Sequence, residues 1–445
     1  MHFITWPVLT IIFKLFTNFK VYGRENIKEL KKPAIFASNH ESYFDPFIIG
    51  MGLTWFSKFH PVYYLINDRL FQTALGKFAK FFYGAFQGKL NRGIEHAMRT
   101  PTQLLWNGKS VGIFPEWCYE QKSLVRRMDK LIPLISRECM RPIVPVFLYG
   151  VKNISWGRIF TFKKEMAVIF GKPFFINNHL TEEEMTKKVY DSLNNVRMQM
   201  FGIIDEKEKK FWNSYGKFYH HLEKAAPYKK LIKDFGDSIN EVKGTWVDLG
   251  SGSGAIIKIL QEKKKDNNVK IIGADFEQNF INTLKQKFKK DDNIDIQELD
   301  LSKKNWFEKN SIDGVTANLV LPYLLHHDSH GNLQAFKEVL KKIFEILKPG
   351  GKFIFSSPKK GVHFWKVFIA YKKEVFNFKG KNDIYYGFMI LKHALRIEKK
   401  GRRGIYHFLP VEELNKILTE IGFAGMSYKI SMAKQVEVIS CKKPL

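Results

Sequence analysis

Cysteine is nearly absent: Cys118, Cys139 and Cys441 are the three in 445 residues, with no CxxC pair and no Cys/His cluster around them. That scarcity excludes a disulfide-stapled scaffold and a structural zinc site, points to a reducing cytosol, and gives no reason to expect a metal. Long apolar runs are also missing. The opening MHFITWPVLTIIFKLFTNFK is interrupted by Lys14, short of the roughly 20 residues a spanning helix needs. It has no small-residue cleavage site, so a removed signal peptide is not expected. Neither an internal repeat nor a low-complexity tract occurs. Negative charge is in short supply: 44 Asp and Glu face 72 Lys and Arg, a formal net charge of +28. The partner is therefore polyanionic, either a membrane surface or a nucleic acid. Forty phenylalanines beside that charge suit an anionic membrane.

Two domains are the simplest organisation, since single cores rarely exceed about 250 to 300 residues. The opening segment reads in two ways. It is either an interfacial helix with Trp6, Phe13 and Phe16 inserted and Lys14 and Lys20 at headgroup level, or a helix packed on its own domain. AIFAS, residues 34 to 38, predicts a strand that ends at Asn39-His40, and DPFIIGMGL begins as a helix should. Further strands are expected at 110 to 114 and 143 to 148. TEEEMTKKVYDSLNNVRMQM is an amphipathic helix with Thr181 as N-cap, closing an α/β domain over residues 1–204. Residues 205–445 form the second domain. Strands are predicted at 245 to 248, 270 to 274, 294 to 298 and 312 to 317, with helices at about 255 to 265, 278 to 289 and 332 to 347. A Pro349-Gly350-Gly351 turn then precedes a strand in KFIFSS. That alternation is a doubly wound sheet.

His40 lies five residues before Asp45 in NHESYFDP, at a strand-to-helix loop that can fold the two together. A carboxylate at one ring nitrogen fixes the tautomer and leaves the other as a base, so an acceptor alcohol could be activated against a thioester. The competing explanation is that Asp45 caps a helix beginning at Pro46. Beyond this pair, NHESYFDP resembles the HxxxxD block of the glycerolipid acyltransferases, of which 1-acylglycerol-3-phosphate acyltransferases are an example. Gly112-Ile113-Phe114-Pro115-Glu116 resembles the FPEG block, Arg92 the intervening arginine, and Val144-Pro145-Val146 the late VPV strand. The resemblance covers about residues 20 to 180. It implies a mixed sheet with helices and acyl transfer from acyl-CoA or acyl carrier protein to a hydroxyl. It also implies catalytic His40 and Asp45, with Arg92 and Glu116 holding the acceptor. Trp117 stands where the family has glycine, and the basic stretch from Lys122 to Lys130 departs from the family pattern.

In the second domain Val247-Asp248-Leu249-Gly250-Ser251-Gly252-Ser253-Gly254 ends a strand and opens a helix, where glycines let a ligand approach free N–H groups. The same run satisfies a loose dinucleotide pattern through Gly250, Gly252 and Ala255. VDLGSGSG, however, resembles the first block of the class I S-adenosylmethionine-dependent methyltransferases. Asp275 ends the next strand, where a carboxylate can accept from ribose hydroxyls. Asp300, in QELDL, resembles the later acidic position near the adenine amine. LKPGGKFIFSS and the closing pair near SYKI and QVEVISC resemble the end of that Rossmann-like sheet, including its antiparallel strand. This second resemblance spans roughly 210 to 445. It implies an S-adenosylmethionine site at Asp248, Gly250, Gly252, Gly254, Asp275, Asp300 and Asn318.

Ala317-Asn318-Leu319-Val320-Leu321-Pro322-Tyr323 is unlike the [DN]PPY of amino-methylating nucleic-acid enzymes, which argues against nucleic acid as partner. His326 and His327 are either bases for a hydroxyl or enol acceptor or a solvated helix start. The basic, aromatic insertion between Lys359 and Arg403 either covers an acceptor site or rests on anionic lipid. The expected whole is a bifunctional lipid-modifying enzyme at the cytoplasmic face of a membrane. The first alternative is a methyltransferase whose leading domain only binds lipid; a nucleic-acid methyltransferase with a basic arm rests on charge alone.

Overall fold

The computed structural model describes all residues except 1–9, 12, 32, 55–56, 67–70, 89–91, 116–121, 152–153, 155–164, 302–305, 325–333, 372–380 and 403–404. The chain divides into two compact units, Met1–Ile204 and Asp205–Leu445, each built on a seven-stranded mixed sheet. The fold is α/β.

The first unit contains strands β1 (Asn18–Tyr22), β2 (Ile35–Ser38), β3 (Val62–Ile66), β4 (Phe86–Gln87), β5 (Ser110–Ile113), β6 (Ile143–Tyr149) and β7 (Glu165–Phe170). Their order is β1-β7-β6-β2-β5-β3-β4, and the β6–β7 pair alone is antiparallel. Helices α1 (Asp45–Gly52), α2 (Ala74–Tyr83), α3 (Ile94–Trp106) and α4 (Lys122–Cys139) connect them. β2 is fully buried and lies between β5 and β6. Its apolar run, unbroken by alternation, reflects cover on both faces. One face meets Phe47, Ile48 and Phe170, the other Leu131, Ile132 and Ile135. Truncating fully buried Phe36 to alanine should cost about 3 to 5 kcal/mol.

Phe13 corrects the interfacial reading of the opening segment. Its ring is buried in the first unit's core, edge-on to Phe47 at 5.4 Å, so it is not available for a bilayer. Lys20 belongs to β1, paired with Ala167, rather than to a helix. Ile11, Leu15 and Phe16 do face solvent, and Trp6 lies outside the described residues.

Helix α5 (Glu182–Lys224) starts at a capping box. The Glu184 N–H donates to Thr181 Oγ1 at 3.3 Å, and the Thr181 N–H donates to Glu184 Oε2 at 2.8 Å. The helix continues past Met200 into the charged, Lys- and Tyr-rich stretch from residue 203, which the sequence also reads as helical, with no proline before Pro227 to stop it. Pro227 enters the first turn of α6 (Ala226–Asp237), where a missing N–H costs nothing.

In the second unit β8 (Thr245–Leu249), β9 (Lys270–Asp275), β10 (Ile294–Glu298), β11 (Ile312–Asn318), β12 (Leu347–Pro358), β13 (Ala424–Ser431) and β14 (Val436–Lys442) form a sheet ordered β10-β9-β8-β11-β12-β14-β13. β14 runs antiparallel to both its neighbours, as the closing hairpin of the sequence predicts. Helices α7 (Ala255–Glu262), α8 (Gln278–Lys287), α9 (Gln334–Ile346), α10 (Phe364–Ala370), α11 (Lys381–Arg402) and α12 (Val411–Ile421) complete it. The strand order reverses between β8 and β11, which makes their carboxyl ends the switch point where such sheets bind ligands.

Candidate functional site

Two sites are built at carboxyl ends of central strands, one in each unit. In the first unit β2 delivers the loop 39 to 44. Asn39 fixes it, donating to the Leu148 carbonyl at 3.1 Å and accepting from the Leu148 N–H at 2.8 Å, so its buried amide mimics a strand pair with β6. His40 Nδ1 lies 2.8 Å from Asp45 Oδ2. That same oxygen accepts from the backbone N–H groups of Glu41 at 2.6 Å and Ser42 at 2.9 Å, while Oδ1 accepts from the Ser42 hydroxyl at 2.7 Å. Asp45 is completely buried, yet these four donors replace water. It is not an N-cap: Phe44 holds that position, and the carboxylate grips the preceding loop instead of the helix's first turn.

With Nδ1 committed to a carboxylate, Nε2 is the nitrogen that can act as base. The imidazole stacks on Phe114, with centroids 4.4 Å apart and planes at 25°, and Phe114 stacks on Tyr64. Gly112 makes room for that stack, because a Cβ there would sit 2.3 Å from the Tyr64 ring. Arg92 is exposed just ahead of α3 and makes no hydrogen bond to His40 or Asp45 among the described residues. Glu116 and Trp117 lie outside the described residues. Sequence reasoning missed Asn39 and Ser42 as positioning groups, although both stand inside the motif it singled out.

In the second unit the loop after β8 is tied to β9. Ser251 Oγ donates to the Asp248 carbonyl at 2.8 Å and accepts from the Ala274 N–H at 3.0 Å. The Gly252 N–H donates to Asp275 Oδ2 at 2.9 Å, and Glu277 N–H to Oδ1 at 3.0 Å. Asp275 is thus engaged with backbone on both oxygens, and burial raises its pKa. Gly250 and Gly254 adopt φ of +67° and +81°, and a Cβ on Gly250 would fall 2.3 Å from Val320 Cγ2. Glycine at 250 therefore both permits the turn and lets the segment after β11 pack against it. Ser253 donates to Glu223 of α5, and Lys287 donates to the Ser253 carbonyl.

Asp248 is buried at the centre. Its Oδ1 accepts from Thr316 Oγ1 at 2.7 Å, whereas Oδ2 has no hydrogen-bond partner among the described residues. Desolvation pushes its pKa up to about 7. Asn318 lies one strand over, accepting from Ser356 Oγ at 2.7 Å and facing the Tyr228 hydroxyl at 3.4 Å. The following residue, Leu319, takes the left-handed conformation at φ +54°. Asp300 is half-buried two residues past β10. The structure therefore gathers Asp248, Gly250, Gly252 and Asp275 into one bonded cluster, with Gly254 opening α7 and Asn318 flanking it. His326 and His327 lie outside the described residues. Thr316 and Ser356 were not foreseen, because only strand register brings them opposite Asp248 and Asn318.

The insertion between residues 359 and 403 contributes α10 and α11. With α5 and α6 they enclose a cavity of about 600 Å³ whose wall includes Leu319 and Tyr323. Buried Glu398 of α11 accepts from the Phe364 N–H at the start of α10 at 2.8 Å, which ties the two insertion helices together, and pairs with Arg402 of its own helix.

An acyltransferase family model matches residues 18–149, and a methyltransferase-domain model matches residues 247–355. The chain therefore carries an acyltransferase domain followed by an S-adenosylmethionine-dependent methyltransferase domain. Among curated relatives, it is 24% identical over 201 residues to a 1-acyl-sn-glycerol-3-phosphate acyltransferase of Bacillus subtilis (strain 168), covering 44% of this chain and 96% of that protein. It is 26% identical over 251 residues to a demethylmenaquinone methyltransferase of Lactococcus lactis subsp. lactis (strain IL1403), covering 56% and 85%. A solved N-methyltransferase, NodS from Bradyrhizobium japonicum, aligns at 14% identity over 52% of this chain and 100% of that one, with a TM-score of 0.35. The second site's residues fit S-adenosylmethionine: glycines leave the backbone approachable, and Asp248 offers a buried oxygen with no partner among the described residues.

Proposed function

We propose that the chain is a bifunctional lipid-modifying enzyme, with an acyltransferase over residues 1–204 and a methyltransferase over 205–445. The observation that carries the first half is the His40–Asp45 pair at 2.8 Å, every oxygen of the carboxylate engaged. Asp45 holds the imidazole with its proton on Nδ1. His40 Nε2 takes the proton of an acceptor hydroxyl as the oxygen attacks the thioester carbonyl. The C–S bond then breaks, and the proton passes from His40 to the leaving thiolate. Acyl-CoA or acyl carrier protein is the donor. The acceptor is a (lyso)phospholipid-like alcohol, supported by likeness to the Bacillus subtilis enzyme. Arg92 and Glu116 hold it, a guanidinium being suited to bidentate contact with phosphate. So complete a pair speaks against a leading domain that merely binds lipid.

In the second domain S-adenosylmethionine, when bound, supplies an activated methyl group. Asp248, Gly250, Gly252, Gly254, Asp275, Asp300 and Asn318 hold it at the switch point, and the acceptor is a lipid headgroup or another small molecule. Likeness to the Lactococcus lactis methyltransferase supports an acceptor with a large apolar part. The chain attaches peripherally to the cytoplasmic face of a membrane. Exposed Leu15 and Phe16 beside Lys14, and exposed Trp365 beneath Lys366, supply apolar and cationic contacts, and no described helix is long and apolar enough to cross a bilayer.

Purified full-length protein given oleoyl-CoA and lysophosphatidic acid tests the first half by thiol release, and titration calorimetry with S-adenosylmethionine tests the second. His40→Ala should abolish thiol release and leave cofactor binding intact. Undiminished thiol release in that variant refutes the assignment of His40.

A further inference from the structure

The cavity of the second unit has features that neither strand order nor the glycine loop requires. Its wall is apolar and aromatic, including Trp212, Tyr215, Tyr323, Phe364, Ile390 and Met432. Its volume, about 600 Å³, is that of a site for a mid-sized organic ligand. It adjoins the proposed cofactor loop through one short segment. Leu319 and Tyr323 line it, and Val320, between them, packs on Gly250. Its charged lining residues, among those described, are of one sign. Lys224 and Lys229, on either side of the break between α5 and α6, line it and are exposed, and neither has an ion-pair partner among the described residues. His221 also lines it, stacked on Tyr386 with centroids 3.7 Å apart, so that α5 and α11 meet at that point of the wall. No Asp or Glu lines the cavity among the described residues.

We infer that this cavity is the methyl-acceptor site and that it takes an anionic amphiphile: an apolar chain or ring lies among the aromatic residues while its acidic head meets Lys224 and Lys229. This rests on the reading of the second unit as a methyltransferase. Burial of an apolar body supplies the affinity, at roughly 25 cal/mol per Å² of surface removed from water. The two cations select charge. Tyr385 and Phe388, exposed on α11, flank the lining residues Tyr386 and Gly387 in the chain, which puts apolar surface next to the cavity wall.

Photolabelling of the full-length protein tests this, with one diazirine-bearing acyl chain presented on three heads below their micellar concentrations: glycerol phosphate, free carboxylate and neutral glycerol. Peptides from residues 212–229 and 386–397 should be labelled by both anionic probes, about fivefold more than by the neutral one, the size expected of two exposed charge contacts. Glycerol phosphate labelling more than carboxylate would mark a phospholipid as the source, and the reverse a fatty-acid-like molecule. Lys224→Ser with Lys229→Ser should erase the preference, and Ala394→Trp or Leu391→Trp, which fill the cavity, should erase the labelling. S-adenosylmethionine affinity measured on each variant reports an intact fold. Labelling confined to the first unit, labelling indifferent to the filling substitutions, or equal labelling by neutral and anionic probes overturns the inference. Loss of cofactor binding in the wild type would instead refute the methyltransferase reading and leave the labelling result standing.

Discussion

The two sites solve the same problem, a carboxylate buried at the end of a central strand, in opposite ways. Asp45 receives four hydrogen bonds from residues within five positions of itself, all inside one loop. Asp248 accepts at Oδ1 from a hydroxyl on a strand 68 residues away, and its Oδ2 has no hydrogen-bond partner among the described residues. Four donors stand in for water around the Asp45 carboxylate; at Asp248 desolvation outweighs its hydroxyl donors and lifts the group to about 7. On the reading proposed above, the first centre carries its own orienting network within one loop, whereas the second leaves a buried oxygen for a ligand to meet.

The largest break in this contrast should come from Asp45→Asn. An amide presents an N–H where the loop has only donors, so the imidazole loses its orientation, and acyl transfer measured by thiol release should fall about 10³- to 10⁴-fold with cofactor affinity unchanged. A loss under tenfold would make Asp45 a loop brace only.

Asp248→Asn tests the opposite arrangement. Because the folded pKa is raised above the unfolded value of 3.8, the group's contribution to stability is present in full below about 4 and is lost as pH rises through about 7. At pH 8 the wild type carries a charge cost on the order of 4 kcal/mol at most, which the amide removes. Thermal melts should therefore show the variant gaining on wild type at pH 8 and not at pH 4. Parallel melting curves at both pH values would mean that Oδ2 is solvated.

Gly250→Val sharpens the account of the glycine loop. A branched side chain at φ +67° that meets Val320 should weaken S-adenosylmethionine binding by about 100-fold in calorimetry, without touching thiol release. Smallest of all, Thr181→Ala removes a helix cap remote from both carboxylates and should cost about 1 kcal/mol in urea unfolding, with both sites active.

Legibility in the sequence followed the same division. The His40–Asp45 geometry was readable because five residues in one loop have few ways to meet. The glycine loop and its strands were readable from alternation of apolar runs with turns. β1 and β7 were not: NFKVY is half-exposed and looks like the end of a basic helix, and its strand identity comes from pairing with residues 165 to 169. The choice between membrane and core for Phe13 stayed open for a similar reason, since its partner Phe47 is 34 positions away and no local pattern announces it; the structure takes the packed alternative. Thr316 and Ser356 became part of the second site only through register with Asp248 and Asn318. The cavity depends on α5 and α11, elements far apart in the chain, whose aromatic content was visible but whose meeting was not.

Lipid mass spectrometry of cells expressing wild type, His40→Ala and Asp248→Ala tests the central claim most directly, because it asks whether two independent transfer centres operate on one chain. The account predicts that wild type yields lipids with an added acyl chain and a methylated product, that His40→Ala removes the acylation, and that Asp248→Ala removes the methylation. An unchanged acyl profile in His40→Ala, with methylation lost in Asp248→Ala, would contradict it and leave a single working centre.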